Sequence, residues 1–154
     1  MPKAELYRRL DSQLDSLLAG ERDFIANAAN LSALLYGELP ELNWAGFYIL
    51  RNADLVLGPF QGKPACTRIA PGKGVCGEAA RLRKTIVVED VHRFPGHIAC
   101  DSASNSEIVV PIVKQGCLLG VLDLDSPAPG RFDDEDRTGL ERLVERFVAA
   151  TQSA

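Results

Sequence analysis

Residues 96–107, GHIACDSASNSE, set one thiol, Cys100, among small polar residues and end on a carboxylate, Glu107. A cysteine kept for packing usually has apolar neighbours on its own strand or helix, whereas this one is followed by residues that bind backbone groups and make turns. The pattern predicts an exposed thiol on a loop and makes Cys100 the candidate reactive atom of an enzyme. Against it stands the commoner fate of a single cysteine, an inert half-buried thiol, so the remaining chemistry-bearing residues have to decide.

Asp123 and Asp125 interrupt the apolar run VLDLD at residues 121–125 with two carboxylates two residues apart, hence on one face of a strand. Strand alternation alone would make that face a solvated one. If Glu107 lies nearby, three carboxylates converge, and crowding raises the pKa of at least one of them. A protonated carboxyl then acts as an acid while its neighbour binds a cation. Trp44, beside small Ala45 and Gly46 on an aromatic strand, reads first as core and second as a wall for a methyl or sulfur group.

Two other constellations are weaker. Cys66, Cys76, Cys100, His92 and His97 are zinc-ligand types, but Cys66 and Cys76 lack the short pairing that structural sites favour, so no metal is expected. His92 and His97 read as surface loop residues, with a role in holding a thiolate or a ligand left open. GKGVCG at 72–77 matches the dinucleotide fingerprint, yet Pro71 precedes it and no parallel βαβ unit surrounds it. Those glycines are expected to let the backbone turn tightly beside a ligand or beside Cys76. No cofactor is expected.

The elements that must position these residues follow from periodicity. Residues 3–18 place Leu6, Leu10, Leu14, Leu17 and Leu18 at helical spacing before Gly20, and a second helix is predicted from about Glu21 to Tyr36 with Phe24, Ala28, Leu31, Leu34 and Leu35 inward. Runs 43–50 and 55–61 read as a hairpin. Residues 62–77 dissolve into Gly, Pro and polar residues around Cys66 and Cys76, with a short helix from Val75 to Leu82. Thr85–Val88 is a predicted strand, followed by a loop of about 18 residues from Glu89 to Ser106, long enough to wrap a site. Strands 108–113 and 117–125 close the sheet through the turn at 114–116. Asp133–Gln152 ends the chain as a helix with Leu140, Leu143, Val144, Phe147 and Val148 inward. Helices at both ends of a mostly antiparallel sheet make an α+β fold.

Composition sets the limits. With 154 residues, 46% hydrophobic and 25% charged, the chain fits one globular domain. Seventeen basic against 21 acidic residues give a net charge of −4 with no basic stripe, which argues against nucleic acid. No export signal and no long apolar window appear, so a cytoplasmic protein without membrane attachment is expected. Four cysteines are too few and too irregular for a secreted disulfide scaffold and become candidates for redox chemistry.

Taken together, NWAGFY (43–48), GPFQGK (58–63), GVCG (74–77), Val91 and His92 with FPGHIACD (94–101), SNSE (104–107) and GVLDLD (120–125) closely resemble the free methionine-(R)-sulfoxide reductases of the GAF-domain type. The resemblance covers nearly the whole chain and implies a single GAF-like domain spanning residues 1–154. It makes Cys100 the attacking thiol and Cys66 its resolving partner. Cys76 is a third thiol that exchanges with the first disulfide or serves as an alternative resolver. Trp44, Tyr48, Glu107, Asp123 and Asp125 become substrate-binding positions, and Cys117 matches no catalytic position and is expected to pack. The implied substrate is free methionine-(R)-sulfoxide and the implied reductant thioredoxin, with a homodimer left open. The competing class is a non-catalytic GAF module sensing a small ligand or redox state.

Overall fold

The computed structural model describes residues 1–97 and 102–154; Cys100 lies outside the described residues. The helices are α1 (Lys3–Leu18), α2 (Phe24–Glu38), α3 (Gly74–Leu82) and α4 (Asp134–Ala150). The strands are β1 (Trp44–Arg51), β2 (Asp54–Gly62), β3 (Arg68–Ile69), β4 (Ile86–Val88), β5 (Ser106–Lys114) and β6 (Cys117–Ser126), in one sheet of order β3-β2-β1-β6-β5-β4. Every pairing in it is antiparallel, as the α+β reading requires.

Strand alternation gives this sheet two unlike faces. Ala45, Phe47 and Ile49 of β1, Ile108, Val110 and Ile112 of β5, and Leu122 and Leu124 of β6 point to one side. There they meet the apolar stripes of α1, α2 and α4. Phe147 of α4 lies 5.3 Å from Phe24 and 5.2 Å from Phe47 between ring centroids, contacts each contributing about 1 kcal/mol beyond burial. Trp44 and Tyr48, Val109 and Val121 point to the other side, where α3 and the loops cover them.

The helix ends follow local chemistry. Asp23 accepts a hydrogen bond from the Ala26 amide at 2.9 Å, and Glu21 Oε2 accepts from the amides of Arg22 and Asp23. This cap starts α2 at Phe24, three residues after the expected start. Asp133 and Asp136 form a reciprocal capping box at α4. The expected inward face of α1 needs one correction: Leu17 is 42% exposed while Leu18 is buried. At 100° per residue Leu18 lies about 20° round from Tyr7 and Leu17 about 80° off, so Leu17 leaves the stripe defined by Tyr7, Leu10 and Leu14. The two-residue β3, pairing with Leu55 and Val56, is too short to show a period and was not anticipated.

α1 and α4 are stapled by a buried carboxylate. Asp136 accepts from Tyr7 Oη at 2.7 Å and from Lys3 Nζ at 2.7 Å, and Arg131 Nη1 lies 3.3 Å from it. Among the described residues no helix is long and apolar enough to cross a membrane.

Candidate active site

The sheet face under α3 carries a cavity whose floor is three neighbouring strands. In the β1–β6 register Trp44 sits opposite Asp125 and Gly46 opposite Asp123; in the β5–β6 register Glu107 sits opposite Asp125 and Val109 opposite Asp123. Pairing therefore places Trp44, Asp123, Asp125 and Glu107 on the same face, and the strand period explains why the two aspartates do not fall on opposite sides. Gly46 has its own reason: a Cβ there would run into Phe60 of β2. Without one, Phe60 closes on the Trp44 ring, stacked at 5.2 Å, and Tyr48 also stacks with Trp44 at 5.9 Å.

Polar tips of those rings hold the strap that follows β2. Trp44 Nε1 donates to the Lys63 carbonyl at 3.2 Å and Tyr48 Oη to the Cys66 carbonyl at 2.9 Å. Cys66 is thereby held, half-buried, beside the cavity. It is disulfide-bonded, whereas Cys76 and Cys117 are free.

α3 forms the opposite wall. Gly72 and Gly74, at φ +70° and +63°, turn the chain into the helix, a conformation that costs glycine least. The fingerprint-like glycines thus serve a tight turn in an antiparallel context, as expected. Gly74, Val75 and Cys76 line the cavity. First-turn amides have no intrahelical acceptor, so this end of the helix presents donors suited to an anionic group. Cys76 is buried, with Sγ 4.0 Å from Glu107 Oε2.

The remaining wall comes from the long loop. A short 3-10 turn, Val91–Arg93, begins it, capped by Asp90 accepting from the His92 amide. Asn105 ties that turn to the end of β6: its backbone carbonyl accepts from the Val91 amide, its amide donates to the Ser126 carbonyl, and its side chain reaches His92 Nε2 at 3.0 Å and the Pro127 carbonyl at 2.8 Å. Asn43 Nδ2 donates to Ser104 Oγ at 3.1 Å. His97 and Ser104, on either side of the segment containing Cys100, both line the cavity. The sequence flagged His97 without assigning it; Ser104 stood within the SNSE motif of the resemblance with no role of its own.

The cavity, about 510 Å³ with its open mouth included, brings together Trp44, Tyr48, Cys76, Glu107, Asp123 and Asp125. Its electrostatics are one-sided. Burial pushes the carboxyls of Glu107 and Asp123 well above the usual carboxylate range; Asp123 adds to the rise at Glu107, and Asp125 adds to the rise at Asp123. Burial, then the same three carboxyls, raises the Cys76 thiol. Burial and neighbouring His92 lower His97. No lysine or arginine lines the cavity among the described residues. The site is built to retain protons and to receive a cation, and it keeps Cys76 a neutral thiol. Cys117, expected to pack, is instead exposed at the start of β6. The strand begins there at the 115–116 turn, beyond the reach of the core.

Comparison with known proteins agrees with this geometry. The GAF domain family model matches residues 14–150. The chain is 54% identical over 154 residues to the free methionine-R-sulfoxide reductase of Escherichia coli K12, covering 98% of this chain and 93% of that one. It is 43% identical to the Saccharomyces cerevisiae free methionine-R-sulfoxide reductase, covering 92% and 83%. The X-ray structure of the Neisseria meningitidis free methionine-R-sulfoxide reductase in complex with its substrate superposes with a TM-score of 0.94 at 45% identity, over 97% of this chain and 90% of that one. With fold, face and family agreeing over nearly the whole length, the chain belongs to the GAF-domain family of free methionine-R-sulfoxide reductases.

Proposed function

We propose that this chain, as a single GAF-like catalytic domain over residues 1–154, reduces free L-methionine-(R)-sulfoxide to L-methionine. The observation that carries the reading is the convergence of Glu107, Asp123 and Asp125 on one buried face beside the Trp44 ring, with Cys66 on the strap tied to Trp44 and Tyr48. A sulfoxide sulfur is electrophilic only when its oxygen is polarised or protonated, so an attacking thiolate needs an acid beside it. Glu107 and Asp123, held protonated by burial, supply that acid. A carboxylate left ionised in the same cluster receives the substrate ammonium, the first-turn amides of α3 receive its carboxylate, and Trp44 walls the methyl group.

Cys100 is the attacking thiol in this reading, supported by the family resemblance and by the place of His97 and Ser104 in the cavity wall. Its thiolate attacks the sulfoxide sulfur as the carboxyl proton moves to the oxygen, and the substrate S–O bond then breaks with the hydroxyl passing to the Cys100 sulfur. Methionine departs, two electrons richer, and Cys100 is left as sulfenic acid. Condensation with the Cys66 thiol expels water and forms the Cys66–Cys100 disulfide, which thioredoxin reduces by thiol–disulfide exchange. Cys66 is preferred over Cys76 as resolver because it is half-buried at the cavity edge, while Cys76 is 4% exposed among carboxyls that keep it protonated. A reducing cytoplasm suits this cycle, and a homodimer is compatible with it.

Product analysis with each sulfoxide epimer, free and peptide-bound, tests the reading in a thioredoxin-coupled assay. Turnover confined to the free R epimer is expected. Absence of turnover on every substrate would instead favour a non-catalytic GAF module that senses a ligand.

A further inference from the structure

We propose that the cavity is also a binding site for a thiophilic divalent cation of the zinc class, held by Cys76 Sγ and one carboxylate oxygen each from Glu107 and Asp123. The competition with substrate argued below rests on the reading of this cavity as the substrate pocket; the cation site itself does not.

Ligand atoms of these three residues lie within 4.8 Å of one another, all on buried side chains. Tetrahedral zinc with S at about 2.3 Å and O at about 2.1 Å places its sulfur and oxygen ligands about 3.6 Å apart. The 4.0 Å from Cys76 Sγ to Glu107 Oε2 is therefore a few tenths of an ångström from a coordinating separation. The three residues come from both walls of the cavity, Cys76 from α3 and Glu107 and Asp123 from the neighbouring strands β5 and β6, and three protein ligands leave a tetrahedral ion one open position.

A second observation points the same way. Asp123 is 5% exposed and lines the cavity, yet its Oδ1 has no hydrogen-bond partner among the described residues. A buried carboxylate oxygen in that state calls for a proton or a cation. The wall offers neither lysine nor arginine to supply it. Zinc is favoured over calcium or magnesium because one of the three ligands is a thiolate, a soft donor that these hard cations do not take. The thiol and the two carboxyls give up their protons to solvent on binding. Since Glu107 and Asp123 then face the metal, they are withdrawn from the sulfoxide, and Cys76 acquires a role that does not need it to be a nucleophile.

The test uses the full chain carrying Cys117→Ser, which removes the exposed thiol, and cadmium as an optical probe. Titration under reducing conditions should give a thiolate-to-cadmium charge-transfer band saturating at one equivalent and displaced by zinc. The band should persist in Cys100→Ser and vanish in Cys76→Ser, and Glu107→Gln and Asp123→Asn should each weaken binding by about tenfold or more. X-ray absorption of the zinc-loaded protein, which needs no pocket variant to fold, should find a single sulfur ligand with oxygens. No band, a band that follows Cys100, or two or more sulfurs would overturn the site. Free methionine should raise the apparent cadmium dissociation constant; additive binding would overturn the competition. Because none of these readouts uses turnover, a protein that binds cadmium as described but reduces no sulfoxide would sink the reductase reading alone.

Discussion

Asp123→Asn should stabilise the fold while disabling the site, and the gain should grow with pH. The Asp123 carboxyl has a folded pKa well above its unfolded value, because burial and then Asp125 disfavour its charge. A group of that kind contributes stability that is present in full below the unfolded pKa, near 3.9, and is lost as pH rises through the folded pKa. Within that window each pH unit removes about 1.4 kcal/mol. Going from about pH 6 to about pH 8 therefore costs the wild type up to about 2.8 kcal/mol through this residue, reached if its folded pKa lies above the upper limit. Asparagine has no proton to lose, so its own pH term vanishes. Removing the titrating carboxyl beside Glu107 also relieves that group, whose pKa Asp123 helps to raise. The unpaired Oδ1, a penalty of about 1–3 kcal/mol, persists in the amide and cancels from the comparison across pH. Urea denaturation of both proteins across this range, under reducing conditions, should show a stability difference that widens in favour of Asp123→Asn. Parallel curves would show that Asp123 keeps no proton in the folded state, and the electrostatic account of the site would fail with it.

Cys100→Ser should abolish reduction of free methionine-(R)-sulfoxide with the fold intact, and near-normal single-turnover methionine release would remove Cys100 from the nucleophile role. Cys66→Ser should release the first methionine but stop thioredoxin-linked turnover; mass spectrometry of the wild type after one turnover should find Cys66 joined to Cys100, and a predominant Cys76–Cys100 bond would name the other resolver. Glu107→Gln should slow methionine formation by about 100-fold or more, with alkylation of Cys100 far less affected. The wild-type rate should fall as pH rises through the raised Glu107 pKa, where the acid is lost, and a variant retaining the wild-type rate and pH profile would exclude Glu107 as that acid. Asp136→Ala, which leaves Tyr7 Oη and Arg131 without their buried partner, should cost about 3–5 kcal/mol in chemical denaturation, and a loss below about 1 kcal/mol would refute the staple between α1 and α4.

Much of this was legible in the sequence because period is local. The hairpin β1–β2, the closing pair β5–β6 and the terminal helices show their apolar alternation within a few residues, and two aspartates two apart on an apolar strand already define a face. What alternation does not carry is register across strands. That Glu107 faces Asp125 depends on the β5–β6 pairing and its irregularity at Ile112 and Val113, which no local pattern encodes. Long-range contacts were hidden for the same reason: the Tyr48 hydroxyl holding the Cys66 carbonyl, Ser104 receiving Asn43, and α3 lying over β5 and β6 rather than beside them. Cys117 misled because an apolar strand predicts burial, while its first residue at a turn is spared it.

The two faces of the sheet explain how such a site can exist at all. Three carboxyls and a thiol with one oxygen unpartnered make a local arrangement that opposes folding, and in a protein stable by only about 5–15 kcal/mol that opposition must be met elsewhere. The same strands meet it. Between Trp44 and Tyr48 stand Ala45 and Phe47, and between Asp123 and Asp125 stands Leu124, each buried without exposure under α1, α2 and α4. Each of these cavity-face residues is thus backed by an immediate neighbour locked into the opposite core. Substitutions that relax the cavity should therefore be easy to find as stabilising changes and should appear as losses of activity. Substitutions of the intervening residues, Phe47 or Leu124 above all, should displace the site without touching it.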